Sequence, residues 1–244
     1  MSDDPPARDP RFGTTVQRLA LFDLDNTLLD LDEAFQAWVA EFVDERGLRR
    51  DAVAWLIALG QAGYPHREVF FAKVRDHFGL PETVEELWSR YRKRMPYLVR
   101  CRAQVMEGLS RLRASGRTLA IVTNGTADNQ LGKIQQTRLA EAVEAYALSG
   151  IEGIRKPYRR LFEIAVKRCD MTLDAGDWMI GDNLIADIAD IAGGRGVGLR
   201  TIWIDRGTWP HTPPARVGRW SRAASYQPGT CLSLVMKGPR VRFP

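Results

Sequence analysis

The stretch Leu19-Ala20-Leu21-Phe22-Asp23-Leu24-Asp25-Asn26-Thr27 decides how this chain is read. Four apolar residues in a row are too few for a helix, and the run stops at an acid. That pattern predicts a strand buried on both faces. Comparable runs recur at Leu119-Ala120-Ile121-Val122, Trp178-Met179-Ile180 and Thr201-Ile202-Trp203-Ile204, with a shorter one at Tyr146-Ala147-Leu148. Helical patterns fill the intervals. Val105, Leu109 and Leu112 share a face within 104–114, a second pattern covers 128–139, and Leu161, Phe162, Ala165 and Val166 share a face within 158–169. Strand alternating with helix predicts an α/β fold, a three-layer Rossmann-like core with a parallel sheet. In such sheets ligands bind beyond the carboxyl ends of the strands.

Between 33 and 102 the alternation stops. Phe35, Trp38, Val39, Phe42 and Val43 fall at helical spacing, and further helical stretches cover 51–59, 66–78 and 81–94. Gly47, Gly60, Gly63, Gly79 and Pro96 punctuate them. This predicts a helical bundle inserted after the first strand. The expected organisation is a loose N-terminal arm at 1–17, an α/β core at 18–32 and 103–207, a helical cap at 33–102 and a basic, proline-rich tail at 208–244.

Apolar residues at 45% and charged residues at 27% match an ordinary globular chain, which excludes a disordered, collagenous or rod-like protein. The longest apolar run, Ala52 to Leu59, is far short of a membrane span. The acidic, proline-bearing start MSDDPPARDP does not read as a secretory leader, and Cys101, Cys169 and Cys231 form no CxxC pair. A cytoplasmic protein with no membrane partner is expected. The net charge of +5 is carried by the C-terminal stretch, where 206–244 holds seven basic residues and no acid. Nucleic acid is therefore not indicated, apart from weak contacts of that basic tail.

The chemistry-bearing residues stand just past the expected strand ends: Asp23 and Asp25, then Thr123-Asn124-Gly125, then Gly181-Asp182-Asn183 with Asp187 beyond. Lys156-Pro157 precedes the helical pattern at 158–169. In a parallel sheet these clusters converge on one edge. Asp23, Asp25 and Asp182 offer hard oxygens of the kind Mg²⁺ takes together with water and substrate phosphate. Thr123 and Asn124, with neighbouring backbone N–H groups, can hold phosphate oxygens. Lys156 is a cation beside them, and Pro157 suits a first helical position, whose helix terminus favours an anion.

In this order DLDNT, TNG, RKP and GDNLIADI resemble the four motifs of the haloacid dehalogenase superfamily, over about Leu19 to Gly207. The insertion after the first motif is similar to the family's helical C1 cap. The resemblance implies a phosphatase rather than a dehalogenase, because the second acid of the first motif, Asp25, is present. It implies Asp23 as nucleophile forming an aspartyl-phosphate, Asp25 as general acid and base, and Lys156 as the balancing cation. The implied metal set is Asp23, the Asp25 carbonyl, Asp182 and, in support, Asp187. The expected substrate is a small phosphorylated metabolite. The motif runs look most similar to 5′-nucleotidase and phosphoglycolate-phosphatase-like members. A nucleoside 5′-monophosphate comes first, with a sugar or organic-acid phosphate as the alternative. A non-catalytic phospho-ligand-binding module is the reading from another class, and the presence of every motif acid stands against it.

Other patterns lead nowhere. Gly193 to Gly198 does not satisfy GxGxxG, Gly132-Lys133 lacks the Ser or Thr of a P-loop, and His66, His77 and His211 share no metal spacing. Trp38, Trp55, Trp88 and Tyr91 can stack on a base or form the cap core. Arg90, Arg92, Lys93, Arg94, Arg100 and Arg102 can draw in phosphates or form a solvated face.

Overall fold

Strand β1 (Arg18–Phe22) is the centre of the sheet because its apolar side chains have cover on both faces. In the computed structural model, residues 18–61, 67–173, 177–182, 198–204 and 221–222 are described. The other strands are β2 (Arg117–Thr123), β3 (Ala145–Leu148), β4 (Trp178–Gly181), β5 (Arg200–Trp203) and β6 (Ser221–Arg222). The sheet order is β3-β2-β1-β4-β5-β6, with parallel pairing throughout. The final pair, Ile202 with Ser221 and Trp203 with Arg222, brings one piece of the proline-rich tail onto the sheet edge.

Alternation along β1 sends Leu19 and Leu21 to one face and Ala20 and Phe22 to the other. Leu19 and Leu21 join Ala120, Val122 and Met179 under helix α9 (Arg159–Lys167), which contributes Leu161, Phe162, Ala165 and Val166. Ala20 and Phe22 join Leu119, Ile121 and Ile180 under α5 (Ala103–Ala114), whose Val105, Leu109 and Leu112 point inward. The second core runs on without a break into the helices that follow β1.

Those helices are α1 (Leu31–Glu45), α2 (Asp51–Gln61), α3 (Arg67–Phe78) and α4 (Val84–Leu98). Trp38, Phe70, Phe71 and Tyr91 interlock there edge to face, Trp88 stacks on Tyr91, and all are buried, so these aromatics form a core. Trp55 stacks on His77 with centroids 3.9 Å apart. Thr83 and Glu86 close a capping box at the start of α4.

Two boundaries depart from the periodicity. Pro96 lies inside α4 rather than ending it, because it sits in the final turn and packs on the next layer. A side chain at Gly132 would stand 2.8 Å from its ring, so α6 (Ala127–Gln136) approaches α4 closely there. The pattern over 128–139 divides into α6 and α7 (Leu139–Ala142) at Arg138, whose φ of 61° ends the first helix. After β3 comes the short helix α8 (Ser149–Glu152).

The chain leaves the sheet layer at Asp30 and returns through Arg100–Arg102. Arg102 binds buried Asp30 and, 2.7 Å away, Glu33, while the Asp30 N–H donates to the Arg100 carbonyl. Much of the basic run is likewise paired: Arg90 with Glu82, Arg92 with Glu85 and Asp128, Arg94 with Glu41. It forms local surface pairs rather than an open phosphate-attracting face. Among the described residues, no helix is long and apolar enough to cross a membrane.

Candidate active site

Asp23 is the first residue past β1, and its N–H donates to the Ile180 carbonyl at 2.9 Å. The next residues turn tightly: the Leu24 carbonyl accepts from the N–H groups of Thr27, Leu28 and Leu29. Asn26 takes a φ of 58°, which Asn tolerates because its short amide bonds locally. Here its Nδ2 donates to Asp32 Oδ1 at 3.0 Å and its Oδ1 accepts from the Asp32 N–H. The turn is thereby tied to the first turn of α1, and Asp23 and Asp25 are presented two residues apart.

The two carboxylates have different surroundings. Asp23 is buried, with Lys156 Nζ 2.7 Å from Oδ1, and Lys156 is buried too. Burial pushes the Asp23 carboxyl above its ordinary value. The Lys156 charge and hydrogen bond and the Leu24 N–H pull it back, while the charge of Asp25 adds to the rise. Asp25 is more open. Lys133 Nζ lies 2.8 Å from its Oδ1 and 2.9 Å from its Oδ2, and Gln130 Nε2 donates to Oδ2 at 3.1 Å.

Thr123 ends β2 and is buried, its Oγ1 accepting from Gln130 Nε2 at 2.9 Å. The Asn124 amide is engaged by the third motif. Its Nδ2 donates to the Lys156 carbonyl at 3.2 Å and its Oδ1 accepts from the Lys156 N–H at 2.8 Å. Asn124 thus ties the Thr123 strand end to the backbone of Lys156. Pro157 follows through a cis peptide, and α9 begins at Arg159, so Pro157 stands before the helix rather than at its first position.

Asp182 directly follows β4. Register places Ile180 beside Phe22, so Asp182 emerges next to the Asp23–Asp25 turn. Its carbonyl accepts from Trp203 Nε1 at 2.9 Å, which fixes the strand end against β5. Asp187 and most of Gly193–Gly198 lie outside the described residues.

The structure thus brings Asp23, Asp25, Thr123, Asn124, Lys156 and Asp182 to one edge of the sheet. It also brings two residues that sequence reading missed, Gln130 and Lys133. Both sit on the buried face of α6, and Lys133 is only 2% exposed. A signal was available: the first helix after the second strand carries Asn129, Gln130 and Lys133 where a core-facing helix would carry apolar residues.

The oxygens available at this edge are hard: the carboxylates of Asp23 and Asp182, to which the family resemblance adds the Asp25 main-chain carbonyl. Among the described residues, no three His, Cys, Asp or Glu side chains close a cage on their own. This set fits Mg²⁺, which keeps several waters and takes one or two carboxylates with substrate phosphate, better than a metal that demands a full protein cage.

Comparisons with known proteins point the same way. The family of haloacid dehalogenase-like hydrolases matches residues 20–204. A phosphoserine phosphatase of Thermus thermophilus is 35% identical over 164 residues, covering 66% of this chain; the chain spans 63% of that protein's length. A ribulose-1,5-bisphosphate 5-phosphatase of Halopiger xanaduensis is 30% identical over 207 residues, covering 76% of this chain and 83% of that protein. The crystal structure of the HAD-hydrolase YfnB of Bacillus subtilis, bound to magnesium, superposes with a TM-score of 0.66. It covers 81% of this chain and 90% of its own at 24% identity, a likeness of fold.

Proposed function

Because this chain belongs to the haloacid dehalogenase-like hydrolase family, we propose that it hydrolyses phosphomonoesters of small metabolites through Asp23 and Asp25. The observation that carries this reading is the pair of carboxylates on one turn with separate cations, Asp23 on Lys156 and Asp25 on Lys133. Chemistry of this kind needs one carboxylate that attacks and another that moves a proton.

Asp23 attacks phosphorus, the bond to the leaving oxygen breaks, and an aspartyl-phosphate forms. Lys156 keeps the attacking carboxylate ionised in its buried site and meets the phosphoryl charge. Asp25 donates a proton to the departing oxygen, then takes one from the water that opens the aspartyl-phosphate and releases inorganic phosphate. Thr123 faces the phosphate from the end of β2, and Asn124 acts by holding the Lys156 backbone. Asp23, the Asp25 carbonyl and Asp182, with Asp187 in support, would hold a magnesium ion, which would supply neutralisation of phosphate charge. Helices α1 to α4 serve as the cap over this edge.

The test is phosphate release from p-nitrophenyl phosphate and a panel of metabolite esters, after chelation and after Mg²⁺ is returned. Turnover should require the metal and vanish in Asp23→Asn, whose amide keeps the shape and removes the nucleophile. A folded Asp23→Asn variant with near-normal turnover sinks the proposal, as does undiminished activity after exhaustive chelation. Tight binding of phosphoesters with no release would favour a non-catalytic phospho-ligand module.

A further inference from the structure

Arg67 opens α3 and is partly buried, with its guanidinium 5.4, 5.7 and 5.6 Å from the ring centroids of Phe35, Phe70 and Tyr91. Rings of this kind hold a cation by their negative faces but satisfy none of its N–H donors. Neighbouring arginines of the same helices have partners: Arg92 has Glu85, Arg94 has Glu41 and Arg46 has Glu82. Among the described residues, Arg67 makes neither hydrogen bond nor ion pair. A partly desolvated guanidinium with idle donors costs free energy unless something accepts from it.

Its position says what. Phe35 lies one turn into α1, the helix whose first turn is bound to the catalytic turn through Asn26 and Asp32. Tyr91 carries the other link: its buried phenol is acted on by the charges of both Arg67 and Asp25. The guanidinium therefore lies at the rings of Phe35, Phe70 and Tyr91, and Tyr91 is the side chain that feels both it and the Asp25 turn. Lys156 and Lys133 are already matched by Asp23 and Asp25.

We propose that Arg67 is a substrate-binding residue that receives a carboxylate on the far end of a small phosphomonoester. The proposal rests on the hydrolase reading above and narrows its substrate class to phosphorylated organic acids. The guanidinium fork matches the two oxygens of a carboxylate. Aromatic rings line the seat, and Lys133 and Lys156 are each spent on a carboxylate, which suits a monoanion better than a second phosphate dianion.

The experiment compares kcat/KM for 2-phosphoglycolate with that for ethyl phosphate, which has no carboxylate. Fructose 1,6-bisphosphate against fructose 6-phosphate is the second-phosphate arm. The intact protein should favour phosphoglycolate by at least about tenfold, the size of one well-placed charged hydrogen bond. Arg67→Gln should bring that ratio close to one, and Arg67→Lys should leave an intermediate value because charge remains and the fork is lost. Thermal melts and p-nitrophenyl phosphate turnover show that each variant is folded and its hydrolytic centre intact, which separates failure here from failure of the hydrolase reading. A ratio near one in the parent protein overturns the proposal. So does a ratio that survives Arg67→Gln, or a preference confined to the bisphosphate.

Discussion

Lys133 Nζ lies 2.8 Å from one oxygen of Asp25 and 2.9 Å from the other, so the acid of the first motif is clasped from α6. Gln130, one turn earlier, adds a third bond and also holds Thr123. Lys133 is thus a positioning residue: it fixes the direction in which Asp25 can offer a proton. Lys133→Met frees the carboxylate to rotate. We expect alkyl phosphates, whose leaving oxygen needs that proton, to lose about 10²-fold in kcat, within the range general acid catalysis supplies. p-Nitrophenyl phosphate should lose far less. Equal losses for the two esters would show that Lys133 supports the fold and not the acid.

Much of this arrangement was legible in the residues, and the reasons differ element by element. Leu19 to Phe22 reads as a buried strand because its four apolar side chains have to face cover on both sides, and β1 is central. The convergence of Asp23, Thr123, Lys156 and Asp182 then follows from parallel topology alone. Lys133 was legible only in part: polar Asn129, Gln130 and Lys133 on the core-facing side of a helix mark something buried there, but nothing local names a partner 108 residues away. Pro96 misled for the opposite reason. Local chemistry says that proline ends a helix, whereas packing against Gly132 keeps it within the last turn of α4. The basic run from Arg90 to Arg102 was ambiguous until Glu41, Glu82 and Asp30 were in place beside it.

Lys156→Met should move the acid limb of the pH–kcat/KM profile upward. Burial already raises the Asp23 carboxyl from its ordinary value of 3.8, and Lys156 is the strongest influence lowering it. Without that cation the carboxyl climbs further, and the attacking form is lost at a higher pH than in the parent. The stability consequence has the same sign. A carboxyl whose pKa is raised on folding binds its proton more tightly in the native state. The variant therefore loses stability as pH rises from the ordinary carboxylate value through the raised one. At neutral pH, leaving this buried charge without its partner costs about 3–5 kcal/mol. A variant melting temperature that does not fall as pH rises above the ordinary carboxylate value of 3.8, beyond any parent trend, would contradict the assignment.

The thiols of Cys101 and Cys169 should be inert. Burial and the charge of Asp30 push Cys101 up to about 12, and burial with Glu144 and Asp170 pushes Cys169 up to about 11. At pH 8 the thiolate, the form that reacts, is then on the order of one part in a thousand or less. Native-state iodoacetamide treatment followed by peptide mapping should leave both unmodified over times that label the urea-unfolded chain fully. Prompt labelling of Cys101 in the folded protein would mean that its surroundings are far more open than this packing allows.

Gly150 presses α8 against the second motif, and a methyl group there has nowhere to go. A Cβ at this position would stand 2.5 Å from the Ala127 nitrogen, 2.6 Å from the Gly125 oxygen and 2.9 Å from the Thr126 carbonyl carbon. All three are backbone atoms, so no side-chain rotation relieves the overlap. The contact is specific, because Ser149 Oγ accepts from the Gly125 N–H at 2.9 Å beside it. Relief has to come from moving the Gly125–Ala127 segment, which starts α6 and so directs Gln130 and Lys133 at Asp25. Gly150→Ala should cost about 1–3 kcal/mol, as overpacking does, and lower the melting temperature by about 2–4 °C per kcal/mol for a chain of this size. Gly153→Ala is the matched comparison. Its φ of +68° strains an alanine while nothing lies within 4 Å of the new methyl. It should lose about 1–2 kcal/mol of stability from that left-handed backbone alone and keep its kcat. Gly150→Ala should lose kcat as well, most with alkyl phosphates, because displacement of α6 loosens the clasp on Asp25. If the two variants lose stability to the same degree and both keep parental kcat, the approach of α8 to the loop plays no part in holding Lys133.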